Sequence, residues 1–125
     1  MLRPLIDRLF RAYEARDKEA ALACYADDVV LVDPHYPGAR MEGKAALADS
    51  VDWAFENARS LGFSVRHAFE EVGDDDGVER AVVEVDSHHV WADGAEARFP
   101  QLFVFEARDG LVTEVRAYQM YPPPA

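Results

Sequence analysis

The sequence is short of several things, and each shortage removes a class of function. Cys24 is the only cysteine among 125 residues, so no intrachain disulfide can form. Lysine and arginine together number 13 against 24 aspartates and glutamates, a formal charge of -11. Phosphate backbones are bound by clustered cations, so this balance argues against a nucleic-acid partner. No apolar run is long enough to span a bilayer. The first sixteen residues mix Arg, Asp and Glu with apolar side chains, unlike a signal peptide's unbroken apolar core. A cytoplasmic location with no membrane association is the expectation. There is no glycine-rich phosphate loop, no dinucleotide fingerprint, no nucleophile elbow and no zinc-ligand spacing. Neither a cofactor nor a resident metal is expected.

What is present fits one domain over residues 1–125, with half the residues hydrophobic. Leu2, Leu5, Ile6, Leu9, Phe10 and Tyr13 recur at helical spacing and predict an amphipathic helix. Asp17 is placed to cap a second helix over Lys18 to Tyr25. The period then changes. Val29-Val30-Leu31-Val32 is a β-branched run between acidic pairs and reads as a strand that Pro34 ends. The segment from His35 to Glu42 reads as a loop. A third helix is expected over Lys44 to Arg59, stopped by Leu61-Gly62. Four strands follow: Phe63 to Val72, Val78 to Trp91, Ala95 to Ala107 and Leu111 to Tyr121. Asp93-Gly94 and Asp109-Gly110 between alternating runs are hairpin signals, so the strands form an antiparallel meander. Asp74-Asp75-Asp76 lacks the spaced ligands of a calcium loop and reads as a turn. Pro122-Pro123-Pro124 reads as a frayed polyproline-like tail over residues 122–125. Three helices followed mainly by antiparallel strands give an α+β class, with helices packed on a curved sheet and a concave interior where ligands bind by default.

Asp33 is the leading candidate for chemistry. It ends an apolar strand on the side of Val29 and Leu31. A carboxylate at the mouth of an apolar cavity has its pKa raised by desolvation, which suits a general base. The plainer alternative is a side chain that caps the Asp-Pro turn. His88 and His89 are adjacent on a strand and point to opposite faces. Alternation places Val85, Ser87, His89 and Trp91 inside, and Glu84, Asp86 and His88 outside. Phe99, Gln101, Phe103 and Phe105 form a second inward row. There the amide of Gln101 is either a pocket contact or a satisfied core group. Val115 and Gln119 continue the wall on the last strand. His35 and Tyr36 follow the Asp33-Pro34 turn at the rim. Trp53 and Phe55 are two apart on a helix, so one of them lines the pocket and Trp53 is counted among the ligand contacts. Cys24, with no basic neighbour in sequence, reads as inert packing.

Cys24-Tyr25-Ala26-Asp27-Asp28-Val29-Val30-Leu31-Val32-Asp33-Pro34, Glu42-Gly43-Lys44, and the final Leu102-Phe103-Val104-Phe105 to Asp109-Gly110-Leu111-Val112-Thr113-Glu114-Val115 resemble the SnoaL-like branch of the nuclear transport factor 2-like superfamily. The resemblance implies a cystatin-like cone with an interior pocket for a small apolar molecule, and a homodimer formed through the outer face of the sheet. It also implies that Asp33 occupies the place of the catalytic base in ketosteroid isomerase, a member of that superfamily. Carried across position by position, the oxyanion-binding tyrosine falls on Leu9 and the late protonated aspartate on Gln101, while a neighbouring network tyrosine is kept as Tyr25. A leucine donates no hydrogen bond, so steroid isomerisation is not expected. The implied activity is isomerase- or cyclase-like acid–base chemistry by Asp33 beside His89 and Gln101, on a ligand held by Tyr25, His35, Tyr36, Trp53, Val85, Ser87, Phe99, Val115 and Gln119. The alternatives are a non-catalytic ligand-binding or dimerising module, or hydrolase or dehydratase chemistry on the same scaffold.

Overall fold

The computed structural model describes residues 2–34, 36, 38–71 and 76–119. His35, Val72, Asp74 and Asp75, Tyr121 and the proline-rich tail, all named above, lie outside the described residues. The elements run α1 (Arg3–Glu14), α2 (Lys18–Leu22), β1 (Tyr25–Val32), β2 (Arg40–Glu42), α3 (Lys44–Asn57), β3 (Ala58–Glu70), β4 (Glu79–Trp91), β5 (Glu96–Arg108) and β6 (Leu111–Gln119). The sheet order is β2-β1-β6-β5-β4-β3. From β3 to β6 it is the expected antiparallel meander, whereas β1 joins β6 in parallel. Register shifts at Val65/His67, with Arg66 the extra residue of β3, and opposite Glu106/Ala107, with Thr113 the extra residue of β6, bend the strands and curve the sheet.

α1 lies across the concave face and buries Leu5, Ile6, Leu9, Phe10 and Tyr13. It has no side-chain cap of its own. The cap comes from β3, where the Glu70 carboxylate accepts both the Leu2 and Arg3 amides at 2.7 Å. The other end is tied to the same strand. Glu14 Oε2 accepts the Phe63 amide at 3.1 Å. Arg16, in the left-handed region at φ 57°, donates to the carbonyls of Phe55 and Ala58 and stacks on the Phe55 ring. β3 is the outermost strand in the described sheet. Arg16 and Glu14 therefore engage backbone groups of an edge strand, at Ala58 and Phe63.

Three boundaries differ from the sequence expectation. α2 begins at its Asp17 cap, which accepts the Ala20 amide at 3.0 Å, but stops at Leu22. Pairing with β6 takes over from there: the Val112 amide donates to the Cys24 carbonyl, and Tyr25 opens a strand instead of closing a helix. Arg40–Glu42, read as loop, is a short strand with Leu31 opposite Met41. α3 ends at Asn57 and the chain enters β3 directly at Ala58. Gly62 is thus no helix stop. It sits within β3 opposite His88.

Inward-facing residues alternate as expected. Ala81, Val83, Val85, Ser87 and His89 of β4 are buried, as are Gln101, Phe103, Phe105 and Ala107 of β5 and Val112, Val115 and Ala117 of β6. Phe10 is central to the packing, with Phe63 stacked at 4.8 Å and Phe103 and Phe105 at 5.5 and 6.0 Å.

Candidate functional site

Between α1 and the concave sheet lies a partly open cavity of about 70 Å³, room for a few water-sized centres. α1 supplies Leu9, Phe10 and Tyr13, β1 supplies Tyr25 with Asp33 just beyond its end, and β3 to β6 supply Phe63, His89, Gln101, Phe103, Phe105 and Val115. Most of this wall is aromatic or aliphatic carbon. The polar groups are a carboxylate, two phenols, an imidazole and an amide.

Asp33 is 7% exposed although it follows directly on the end of a strand. Its backbone serves the turn: the amide donates to the Ala39 carbonyl at 2.8 Å and the carbonyl accepts the Tyr36 amide at 3.2 Å. Its side chain faces the cavity, where Oδ1 accepts a long bond from Gln119 Nε2 at 3.4 Å. The turn's hydrogen bonds at this residue come from its backbone, while the carboxylate faces the cavity.

The phenol pair was only half legible in the sequence. Leu9 does line the cavity, but so does Tyr13, one helical turn later on the same face. The Tyr13 and Tyr25 hydroxyls stand 2.9 Å apart. Burial raises both phenol pKa values well above the usual tyrosine range, so both rings are neutral in the folded chain. Two hydroxyls that share one hydrogen bond have one proton left to donate elsewhere. The only signal for Tyr13 was a hydroxyl in an otherwise apolar helical stripe, since a buried tyrosine oxygen must find a partner.

The remaining expected contacts spread over three places. Gln101 is on the wall, and its Oε1 accepts from Ser87 Oγ at 2.8 Å, so Ser87 stands behind the amide and orients it. Phe99 touches the ring of His89 edge-on at 5.4 Å, and Gln119 meets the site at Asp33. Val85 is fully buried in the core and does not line the cavity. Tyr36 and Trp53 pack on each other at 5.3 Å outside the cavity lining, and Trp53 instead walls a separate surface groove with Asn57, Trp91 and Asp93. The other aromatic of α3, Phe55, meets Tyr13 edge-on at 6.1 Å. Burial raises the Cys24 thiol pKa, although Arg8 and Lys44 are near enough to oppose the shift; two basic neighbours exist where the sequence suggested none. Among the described residues no three His, Cys, Asp or Glu side chains converge as a metal site. No helix among them is long and apolar enough to cross a membrane.

A helix layer over a curved, mainly antiparallel sheet, with a polar cluster inside, defines a cystatin-like, nuclear transport factor 2-like α+β class. The SnoaL-like domain family matches residues 6–115, and the chain belongs to that family. No curated protein matches it. Solved structures agree on the fold. A candidate aromatic ring hydroxylase from Novosphingobium aromaticivorans superposes with a TM-score of 0.86 at 17% identity, over 97% of this chain and 87% of that one. A candidate dehydratase of the same superfamily from Streptomyces avermitilis gives 0.82 at 14% identity, over 97% and 95%. TerC, co-crystallised with polyporic acid, gives 0.77 at 19% identity, over 94% and 89%. At such identities the likeness is one of fold.

Proposed function

We propose that this domain binds a small, largely apolar carbonyl compound in the cavity and that Asp33 moves a proton on it, as an isomerase or cyclase does. The observation that carries this reading is the buried carboxylate of Asp33 on the same apolar wall as the Tyr13–Tyr25 pair. In this scheme Asp33 takes a proton from the carbon beside the carbonyl, the C–H electrons pass to the carbonyl oxygen, and the phenol pair donates to the enolate oxygen so formed. Gln101 and His89 orient the ligand. The proton then returns from Asp33 to carbon, so no co-reactant is consumed. With Leu9 at the expected tyrosine position, the donor comes from one turn further along α1, which would set a ligand at a different angle from a steroid.

A second reading rests on a specific observation. The polar groups largely satisfy one another, with Tyr13 on Tyr25, Ser87 on Gln101 and Gln119 on Asp33. That pattern suits a pocket that binds without turnover. The same assay separates the two. With 1-indanone in heavy water, saturation transfer from protein to ligand reports binding, and loss of the α-methylene signal reports proton abstraction. Both effects are expected. Binding without exchange selects the non-catalytic module, and neither effect sinks both readings.

The proposal extends to a homodimer through the outer face, where Leu102 and Tyr118 are paired across β5 and β6 and Tyr118 is 56% exposed. Sedimentation should give twice the monomer mass, and Tyr118→Lys should return it to the monomer value. A cytoplasmic setting accords with a chain whose one cysteine is buried and forms no disulfide.

A further inference from the structure

Gly62 occupies a mid-strand position in β3, where no turn requires glycine. A Cβ atom there would stand 2.9 Å from the carbonyl oxygen of His88, a separation that real Cβ atoms essentially never show. The missing side chain therefore lets β3 approach β4 closely. One consequence lies next to it: the Gly62 amide donates to Nδ1 of His89, a long bond of 3.4 Å. His89 is a buried cavity residue whose ring meets Phe63, Phe99 and Trp91 edge-on at 5.2, 5.4 and 5.7 Å.

An imidazole nitrogen accepts an N–H only through a free lone pair. A proton on Nδ1 would face the amide hydrogen, so a neutral ring in this position carries its proton on Nε2. We infer that Gly62 is a positioning residue whose amide holds His89 as the Nε2–H tautomer, making the imidazole a hydrogen-bond donor toward an acceptor oxygen on the cavity ligand. The division of labour is then set by backbone geometry, with Asp33 accepting and the imidazole and the phenol pair donating. Only the final clause, the donation to ligand, rests on the function proposed above; the tautomer does not.

The test uses the full chain labelled with 15N-histidine, without ligand, at about pH 8, well above the ordinary histidine pKa. Two-bond 1H–15N correlations distinguish the tautomers, and His89→Gln assigns the signal among the four histidines. The expected pattern is a single Nε2–H form for His89. An Nδ1–H form, or an average of the two, would overturn the inference. Gly62→Ala should move the ring toward a mixture of tautomers; a folded variant with an unchanged pattern would show that the amide does not hold it. For the donor role the probe is 1-indanone. His89→Gln keeps an N–H near the Nε2 position and should hold its affinity within about threefold, whereas His89→Leu should lose about tenfold. Equal losses in both variants would refute donation and leave the tautomer standing. No binding to any form would instead count against the proposed ligand class.

Discussion

Strands β4, β5 and β6 have two faces, and the groups on them respond to different causes. On the inner face water is scarce, and burial keeps the neighbouring phenols of Tyr13 and Tyr25 neutral. The outer face is a charge ladder. Arg80 binds Asp76, Glu71 and Glu106 at 3.0 to 3.2 Å, and Arg116 binds Glu106 at 2.6 Å and also Glu114. There the shifts follow partners. A hydrogen bond from Glu114 and then one from Arg116 lower the Glu106 pKa, while the bond to Glu106 raises that of Glu114. Inside, a change of charge is opposed by missing solvent; outside, a neighbour offsets it. In the proposed function the inner face is where few polar groups control a ligand's protons, and the outer face is where many charges add little stability.

The largest effect that would sharpen this contrast is Phe10→Ala. It removes the ring around which α1, β3 and β5 pack, and the expected loss is about 3–5 kcal/mol by urea unfolding. A loss below about 1 kcal/mol would mean that α1 is not held by the inner face. Next come Tyr13→Phe and Tyr25→Phe, each expected to cost about 1–3 kcal/mol by leaving its partner unsatisfied. The double variant should cost clearly less than the sum, because the second change removes the orphan left by the first. Strict additivity would argue that the two hydroxyls do not act as a pair.

The fold was legible because the signals behind it are local. Alternation set the inner rows of β4 and β5, two Asp-Gly turns set the hairpins, and Asp17 capped α2 as expected. The errors arose where tertiary contacts outweighed local propensity. Tyr25 follows an alanine-rich helical run but pairs with Val112, and Gly62 resembles a helix stop but answers to the carbonyl of His88. The site divided similarly. Asp33, His89 and Gln101 could be placed from period and from a turn. Tyr13 could not be told from its apolar neighbours, since the reason for its hydroxyl lies twelve residues away in Tyr25. Trp53 and Val85 stand off the cavity because helix rotation and strand layering are settled by packing partners that a single sequence does not name.

Two smaller effects probe the contrast through pH and salt. For Tyr13 and Tyr25 the folded pKa lies above the unfolded value of about 10, so their stabilisation is complete below that pH and declines as pH rises above it. Ultraviolet titration should show both phenols ionising together with alkaline unfolding; early ionisation of either in the folded chain would contradict their burial. On the outer face the signs oppose. Glu106, with its pKa lowered, stabilises above about pH 4.3 and loses that contribution as pH falls, whereas the raised Glu114 contributes on the acid side. The two carboxylates therefore pull in opposite directions on acidification, and Arg116→Met should cost under about 1 kcal/mol and less still in high salt. A steep, salt-insensitive loss would give the outer ladder a larger share of the stability than this comparison allows.

The central claim concerns Asp33, and one ratio tests it most directly: the α-proton exchange rate of 1-indanone with wild type over that with Asp33→Asn, both folded and at equal concentration. A general base contributes about 10²–10⁴-fold, so the ratio should be at least about 100, with the melting temperature of Asp33→Asn little changed. A measurable exchange that Asp33→Asn retains within about twofold would contradict the account and assign the proton transfer to another group.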